Sequence, residues 1–285
     1  MIQRKTLKLG LVGAAVLMAL GAANAATLRW AGATDILTVD PHAQNHQTTH
    51  TFFFFLYEPL VRYGKDFQIE PALATKWTQI TPTQWRFELR KGVKFHDGAP
   101  FTADDVVFSF KRVAGDGSDM KSYVSSIKEV RKVSDLVVEI ETLTPFPILP
   151  DVLTLVYIMN RAWCETNKAV TPVDRRKGIE NLASFKANGT GPFRVKERQP
   201  GARTVLVRNF QYWDKVDGNV DEVVFTPIGN DATRVAALMS GEVDVMEPVP
   251  LQDVARLNTS PALTVLQGPE LRTIFLGMDQ KRDEL

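Results

Sequence analysis

The sequence predicts an α/β fold, with strands and helices mixed along the chain, and three observations carry that reading. Apolar and polar residues alternate with the two-residue period of a half-buried strand at 85–89 (WRFEL) and 136–141 (LVVEIE). Elsewhere the apolar residues fall on one helical face, as Val106, Val107 and Phe110 do, and again Val235, Leu238 and Met239. The two patterns interleave from end to end, which is the mark of packed layers of strand and helix. Of 285 residues, 44% are hydrophobic and 24% charged, so the chain can fill a core and is not composed like a disordered segment.

Residues 1–25 stand apart from the fold. Arg4, Lys5 and Lys8 precede an uncharged apolar run over 9–22, and Ala23-Asn24-Ala25 has the form of a cleavage site. The apolar run is shorter than the ~20 residues of a spanning helix, so a cleaved export signal is expected, with the mature chain starting at Ala26. Taking those three basic residues from 34 Lys and Arg leaves 31 against 33 Asp and Glu. That balance offers no basic face for nucleic acid. Cys164 is the single cysteine and reads as a small buried hydrophobe beside Trp163.

From the mature start, 27–33 reads as a strand, and Asp40-Pro41-His42 breaks regular structure. Residues 48–60, with four consecutive Phe at 52–55, read as a buried helix ended near Glu58-Pro59. The stretch 85–112 is the most organised. After the 85–89 strand, Lys91-Gly92 turns the chain, and 93–95 resumes the alternation as a short strand. His96-Asp97-Gly98 turns it again. Thr102 with Asp105 then opens a helix whose last turn holds Lys111 and Arg112, suited to the helix dipole. Proline-rich 144–150 is a join, and 171–183, mixed in charge, reads as an exposed helix.

Beyond it, 188–193 (NGTGPF) is a sharp chain crossing; it lacks the strand-to-helix context of a phosphate loop. Strands are expected at 193–197, 203–208, 220–228, 263–267 and 273–278. Asp231 is expected to cap a helix that Gly241 stops, and 250–257 forms a short helix.

Residues 89–112 (LRKGVKFHDGAPFTADDVVFSFKR) resemble the signature of the bacterial extracellular solute-binding proteins of family 5, the peptide- and nickel-type receptors of ABC importers. DPH at 40–42, YEPLVRY at 57–63, PALATKW at 71–77, GTGPF at 189–193, N-x-x-Y-W at 209–213 and AALMSGEVDV at 236–245 resemble further landmarks of that family. The resemblance implies a periplasmic-binding-protein-like fold of type II. It implies a first lobe built from 26–58 and 188–285 and an inserted lobe over 59–187. Family members continue past residue 285 into a further lobe, so this chain is expected to be the amino-terminal part of such a receptor, to hold one wall of the cleft and to bind ligand poorly alone. The closing RDEL is similar to a retrieval tail by accident.

The same resemblance implies a periplasmic, monomeric protein that binds a peptide or similar polar solute, without cofactor, and passes it to membrane permease subunits. In peptide-binding members the residues after DPH line the cleft, here Asn45, His46 and Gln47, whose side chains both donate and accept hydrogen bonds. Tyr123 falls near a ligand-facing aromatic, and Gly189, Thr190 and Gly191 of the crossing are expected to take part in ligand binding as well. A polar surface loop is the other reading of 45–47.

The histidines admit two further readings. His42, His46 and His50 stand four apart and would share a helix face, as a nickel site could use; Pro41 argues for extended backbone instead. A secreted hydrolase would draw on His96 and Asp97, but neighbours on a tight turn point apart, and no G-x-S-x-G motif accompanies them.

Overall fold

The computed structural model describes residues 26–268 and 276–278, so the expected leader and half of the strand expected at 273–278 lie outside the described residues. The first half runs β1 (Ala26–Gly32), α1 (Gln47–Leu56), β2 (Val61–Tyr63), β3 (Ile69–Pro71), β4 (Ala74–Thr81), β5 (Gln84–Leu89), α2 (Ala103–Val113), β6 (Ile127–Ser134) and β7 (Val137–Thr142). The second runs α3 (Leu149–Leu153), α4 (Arg161–Thr166), β8 (Phe193–Gln199), β9 (Arg203–Arg208), β10 (Val220–Pro227), α5 (Asp231–Met239), β11 (Val245–Glu247) and α6 (Val254–Asn258). Among the described residues, no helix is long and apolar enough to cross a membrane.

Two main sheets result. One has the order β11-β1-β10-β9-β8, with β1 parallel to both β10 and β11 and the rest antiparallel. Both faces of this sheet are covered, because successive side chains on β1 point opposite ways. Trp30 enters a core with Phe52, Phe53 and Leu56 of α1, while Ala31 enters another with Val235, Met246 and Leu257. Trp30 stacks on Phe52 at 5.1 Å and meets Phe225 edge-on at 4.9 Å. Complete burial of Phe52 and of Phe53 is worth about 1.5–3 kcal/mol each before conformational entropy is counted.

The other sheet, β4-β5-β7-β6, is antiparallel throughout. Trp85, Phe87 and Leu89 turn inward and Arg86 and Glu88 outward, as the alternation requires. α2 lies across it with Val106 and Phe110 in the same core. Its start is fixed by Asp105, whose carboxylate accepts from the Thr102 backbone N–H at 3.0 Å and from the Thr102 hydroxyl at 3.2 Å. Residues Tyr157, Met159, Cys164, Ala169 and Ala183 leave this sheet and pack into the α1 core. Burial pushes the Cys164 thiol up to about 12, so it stays a neutral hydrophobe.

Several sequence expectations change. α1 ends at Leu56, because Tyr57 is already extended ahead of Pro59. At 93–95 the burial alternates as expected, but only a Lys94–Pro100 bridge forms in place of a strand. No helix forms over 171–183; short 3-10 turns at Arg175–Lys177 and Leu182–Ser184 stand there. The Ala169 and Thr171 carbonyls are bonded to Arg112 and the Val173 N–H to Asp40, so the backbone groups a helix would use are engaged. Asn230, not Asp231, caps α5, accepting from Thr233 N–H at 2.9 Å, and Met239 turns outward. Residues 263–267 carry no strand: Leu263 and Val265 pack inward, but no partner strand lies beside them among the described residues.

Candidate functional site

The three parallel strands end at one edge of the first sheet. There the Ala33 N–H donates to Glu247 O at 3.1 Å, and the Ile228 N–H donates to Gly32 O at 2.8 Å. In open α/β sheets, ligands bind in the crevice outside these carboxyl ends. The chain leaving β1 reaches the first turn of α1 directly, and Thr34 Oγ1 lies 3.4 Å from Thr48 Oγ1. A polar groove of about 620 Å³ opens where the chain leaves β10, lined by Gly229, Asn230, Asp231 and Arg256.

Asn45, His46 and Gln47 stand exposed at this edge, at the entry to α1. Asn45 Oδ1 accepts from His50 Nε2 at 3.1 Å and from the Tyr123 hydroxyl at 3.5 Å. Tyr123 comes from a 3-10 turn, Lys121–Val124, that packs with the second sheet. One hydrogen-bonded cluster therefore joins the entry and first turn of α1, which packs on the first sheet, to a turn that packs with the second. His50 is held neutral: burial, with the neighbouring His46, brings its value down to about 4.

Gly189, Thr190 and Gly191 are not in this cluster. They press against the end of α1, where a Cβ on Gly189 would collide with Leu56 O, and one on Gly191 would stand 2.5 Å from Phe55 O. The Thr190 hydroxyl is fully buried and donates to Glu58 Oε2 at 2.8 Å. Glu58 also accepts from the Tyr212 hydroxyl and from Trp213 Nε1, each at 2.8 Å. Burial pushes its carboxyl up against these three bonds. Arg90 lies over the Trp213 ring at 3.9 Å.

His96 and Asp97 join the same crossing. His96 Nε2 donates to Gly191 O at 3.1 Å, and its Nδ1 accepts from Gly189 N–H at 3.3 Å. Asn188 Nδ2 donates to Asp97 at 2.8 Å. Both ring nitrogens of His96 are thus engaged by backbone, and burial lowers its value to about 4. A catalytic pair has no free imidazole nitrogen here.

His42, His46 and His50 do not converge. Among the described residues, no three His, Cys, Asp or Glu side chains are grouped to hold a metal ion. His42 Nε2 donates to Tyr157 O at 2.9 Å, and its Nδ1 accepts from Arg112 at 3.0 Å. The Arg112 guanidinium is bidentate to Asp40, at 2.7 and 2.6 Å, with both side chains buried. Burial raises the Asp40 carboxyl, but the charge and hydrogen bonds of Arg112, with those of His42, together outweigh it and hold Asp40 below its usual range. Sequence reasoning missed Arg112, Glu58, His50 and Tyr157 as partners. The available signal was a charged or polar residue inside an otherwise apolar buried run, as Glu58 follows 52–57.

Over residues 68–285 the chain matches the bacterial extracellular solute-binding proteins, family 5 Middle, and it belongs to that family. It is 27% identical over 230 residues to the nickel-binding periplasmic protein of Escherichia coli (strain K12), covering 79% of this chain and 42% of that protein. It is 25% identical over 238 residues to the periplasmic murein peptide-binding protein MppA of the same organism, covering 80% and 44%. Among solved structures, the periplasmic binding protein DppA from Helicobacter pylori in complex with peptide STSA superposes with a TM-score of 0.72 at 26% identity, over 83% of this chain and 48% of that one. The fold is thus the mixed α/β fold of periplasmic binding proteins, and the chain spans about half, or less, of the length of these relatives.

Proposed function

We propose that this chain forms one wall of the solute site of a periplasmic ABC-importer receptor, which captures peptides or a similar small polar solute and delivers it to the membrane permease. The observation that carries the reading is the Asn45–His50–Tyr123 cluster, which joins α1 to a turn packed with the second sheet, beside the carboxyl edge of the parallel strands. In this reading 26–58 and 188–285 form the first lobe and 59–187 the inserted lobe, with 157–183 packed back on the first. Capture needs no covalent step: a ligand that binds the closed form better shifts the equilibrium toward it. The protein works as an exported monomer.

Melting scans test the proposal. Dipeptides or polyols in large excess raise the melting temperature of the chain, since a solute bound to the folded form alone stabilises it by RT ln(1 + [L]/Kd). Asn45→Ala removes the shift. A shift with nickel chloride that vanishes in His46→Ala replaces this reading with that of a metal-complex receptor, the activity named for one relative.

A further inference from the structure

Two buried polar atoms beneath the Asn45 cluster have no protein partner. Tyr157 is wholly buried, yet no protein group reaches its hydroxyl. His50 is 6% exposed; its Nε2 serves Asn45 Oδ1, while its Nδ1 is buried and unmatched. The two rings lie 6.1 Å apart at an interplanar angle of 30°. Phe54, which is half exposed, stands edge-to-face with Tyr157 at 5.9 Å, and Phe53 does so at 5.5 Å. Tyr157 is therefore one ring beneath the surface that carries Asn45, Tyr123 and Phe54. A buried hydroxyl without a partner is destabilising, and native proteins seldom keep such a group without a use. Trp30 Nε1 and Trp85 Nε1 are also unmatched, but each belongs to a sheet core rather than to this edge.

We infer that Tyr157 Oη and His50 Nδ1 form a polar subsite that receives an uncharged hydroxyl or carboxamide of the solute, with the Phe54 ring as its apolar side. The inference rests on the proposal that Asn45–Gln47 line a solute site. With Nε2 protonated toward Asn45, Nδ1 is a bare acceptor, and the Tyr157 phenol supplies a donor. A group that both donates and accepts satisfies the pair. A carboxylate would face the Nδ1 lone pair, and Asn45, Phe53 and Phe54, which touch the two rings, carry no positive charge; His46 is the titratable neighbour of His50. An ammonium would be buried with no carboxylate beside it.

The test uses the whole chain with nitrogen-15 in its histidines and follows the His50 Nδ1 resonance as mannitol, acetamide or sodium acetate is added; this readout detects weak binding. Mannitol or acetamide should move the resonance saturably, and acetate should not. Tyr157→Phe should raise the midpoint about tenfold, as loss of one buried hydrogen bond does. Without solute the same variant should melt no lower than the parent, because it removes an unmatched hydroxyl. An unchanged midpoint in Tyr157→Phe, or an equal response to acetate, overturns the subsite. If Asn45→Ala abolishes a response that Tyr157→Phe leaves intact, the solute wall stands and the subsite falls. If the His50 resonance responds to none of the three probes and none of them raises the melting temperature, both fall.

Discussion

Arg112 binds both carboxylate oxygens of Asp40 and the carbonyls of Ala169 and Thr171, and the Arg112 and Asp40 side chains are both fully buried. Removing one partner of such a pair leaves a buried charge uncompensated. Arg112→Ala should therefore cost about 3–5 kcal/mol in urea unfolding, and adding Asp40→Asn should recover more than about 1 kcal/mol of it. The buried imidazoles give a pH dependence with a definite sign. His42 is lowered from 6.5 to about 3, and His50 and His96 to about 4, in each case chiefly by burial. The unfolded chain takes up these protons first, so their contribution to stability is complete above 6.5 and is lost as pH falls toward about 4. Glu58 and Asp105, raised by burial, act in the opposite sense. A variant isolates the histidine part: in His96→Asn, the fall of the urea midpoint across that window should be shallower than in the parent. Equal slopes would contradict the assignment of His96 as buried and neutral.

At the scale of elements, the NGTGPF crossing is where the chain returns against the end of α1. Neither Gly189 nor Gly191 has a positive φ, so the glycines serve close approach and not backbone freedom. Gly191→Ala should cost at least about 2 kcal/mol in urea unfolding, because the Phe55 and Leu56 backbone cannot yield to an added methyl. Gly201→Ala, at φ 75° with open space around it, should cost less than that. The sequence made local features legible. The inward set Trp85, Phe87 and Leu89, the Thr102–Asp105 start of α2 and the stop at Gly241 depend on residues within a few positions of each other. What stayed hidden depends on distant partners. Residues 171–183 carry a helical charge pattern, but their backbone is bonded to Arg112 and Asp40, more than fifty positions away. Asn45–Gln47 could be singled out by motif; that Tyr123 and His50 meet at Asn45 could not, since it follows from how the two sheets pack.

For the whole molecule, the landmarks of the family turn out to be joints. DPH supplies Asp40 and His42 to Arg112, the last residue of the 89–112 signature. HDG within the same signature grips the GTG crossing, and Glu58 of the YEP landmark ties that crossing to Tyr212 and Trp213. The stretch read from sequence as a run of turns and a capped helix thus also fastens the second sheet to the first. On the proposed reading, a joint of this kind suits a receptor whose solute sits between elements packed on the two sheets. The cleft of about 470 Å³ beside Val107, Phe108, Lys111 and Val170 shares none of its lining with Asn45, His50 or Tyr123, and it serves as the internal control. The decisive measurement is a backbone amide map of the chain recorded with increasing dipeptide and with increasing mannitol. The account predicts concentration-dependent shifts gathered at Asn45–His50 and Tyr123, and none at Val107, Lys111 or Val170. Shifts gathered at that second cleft instead, or none at Asn45 with either solute, would contradict it.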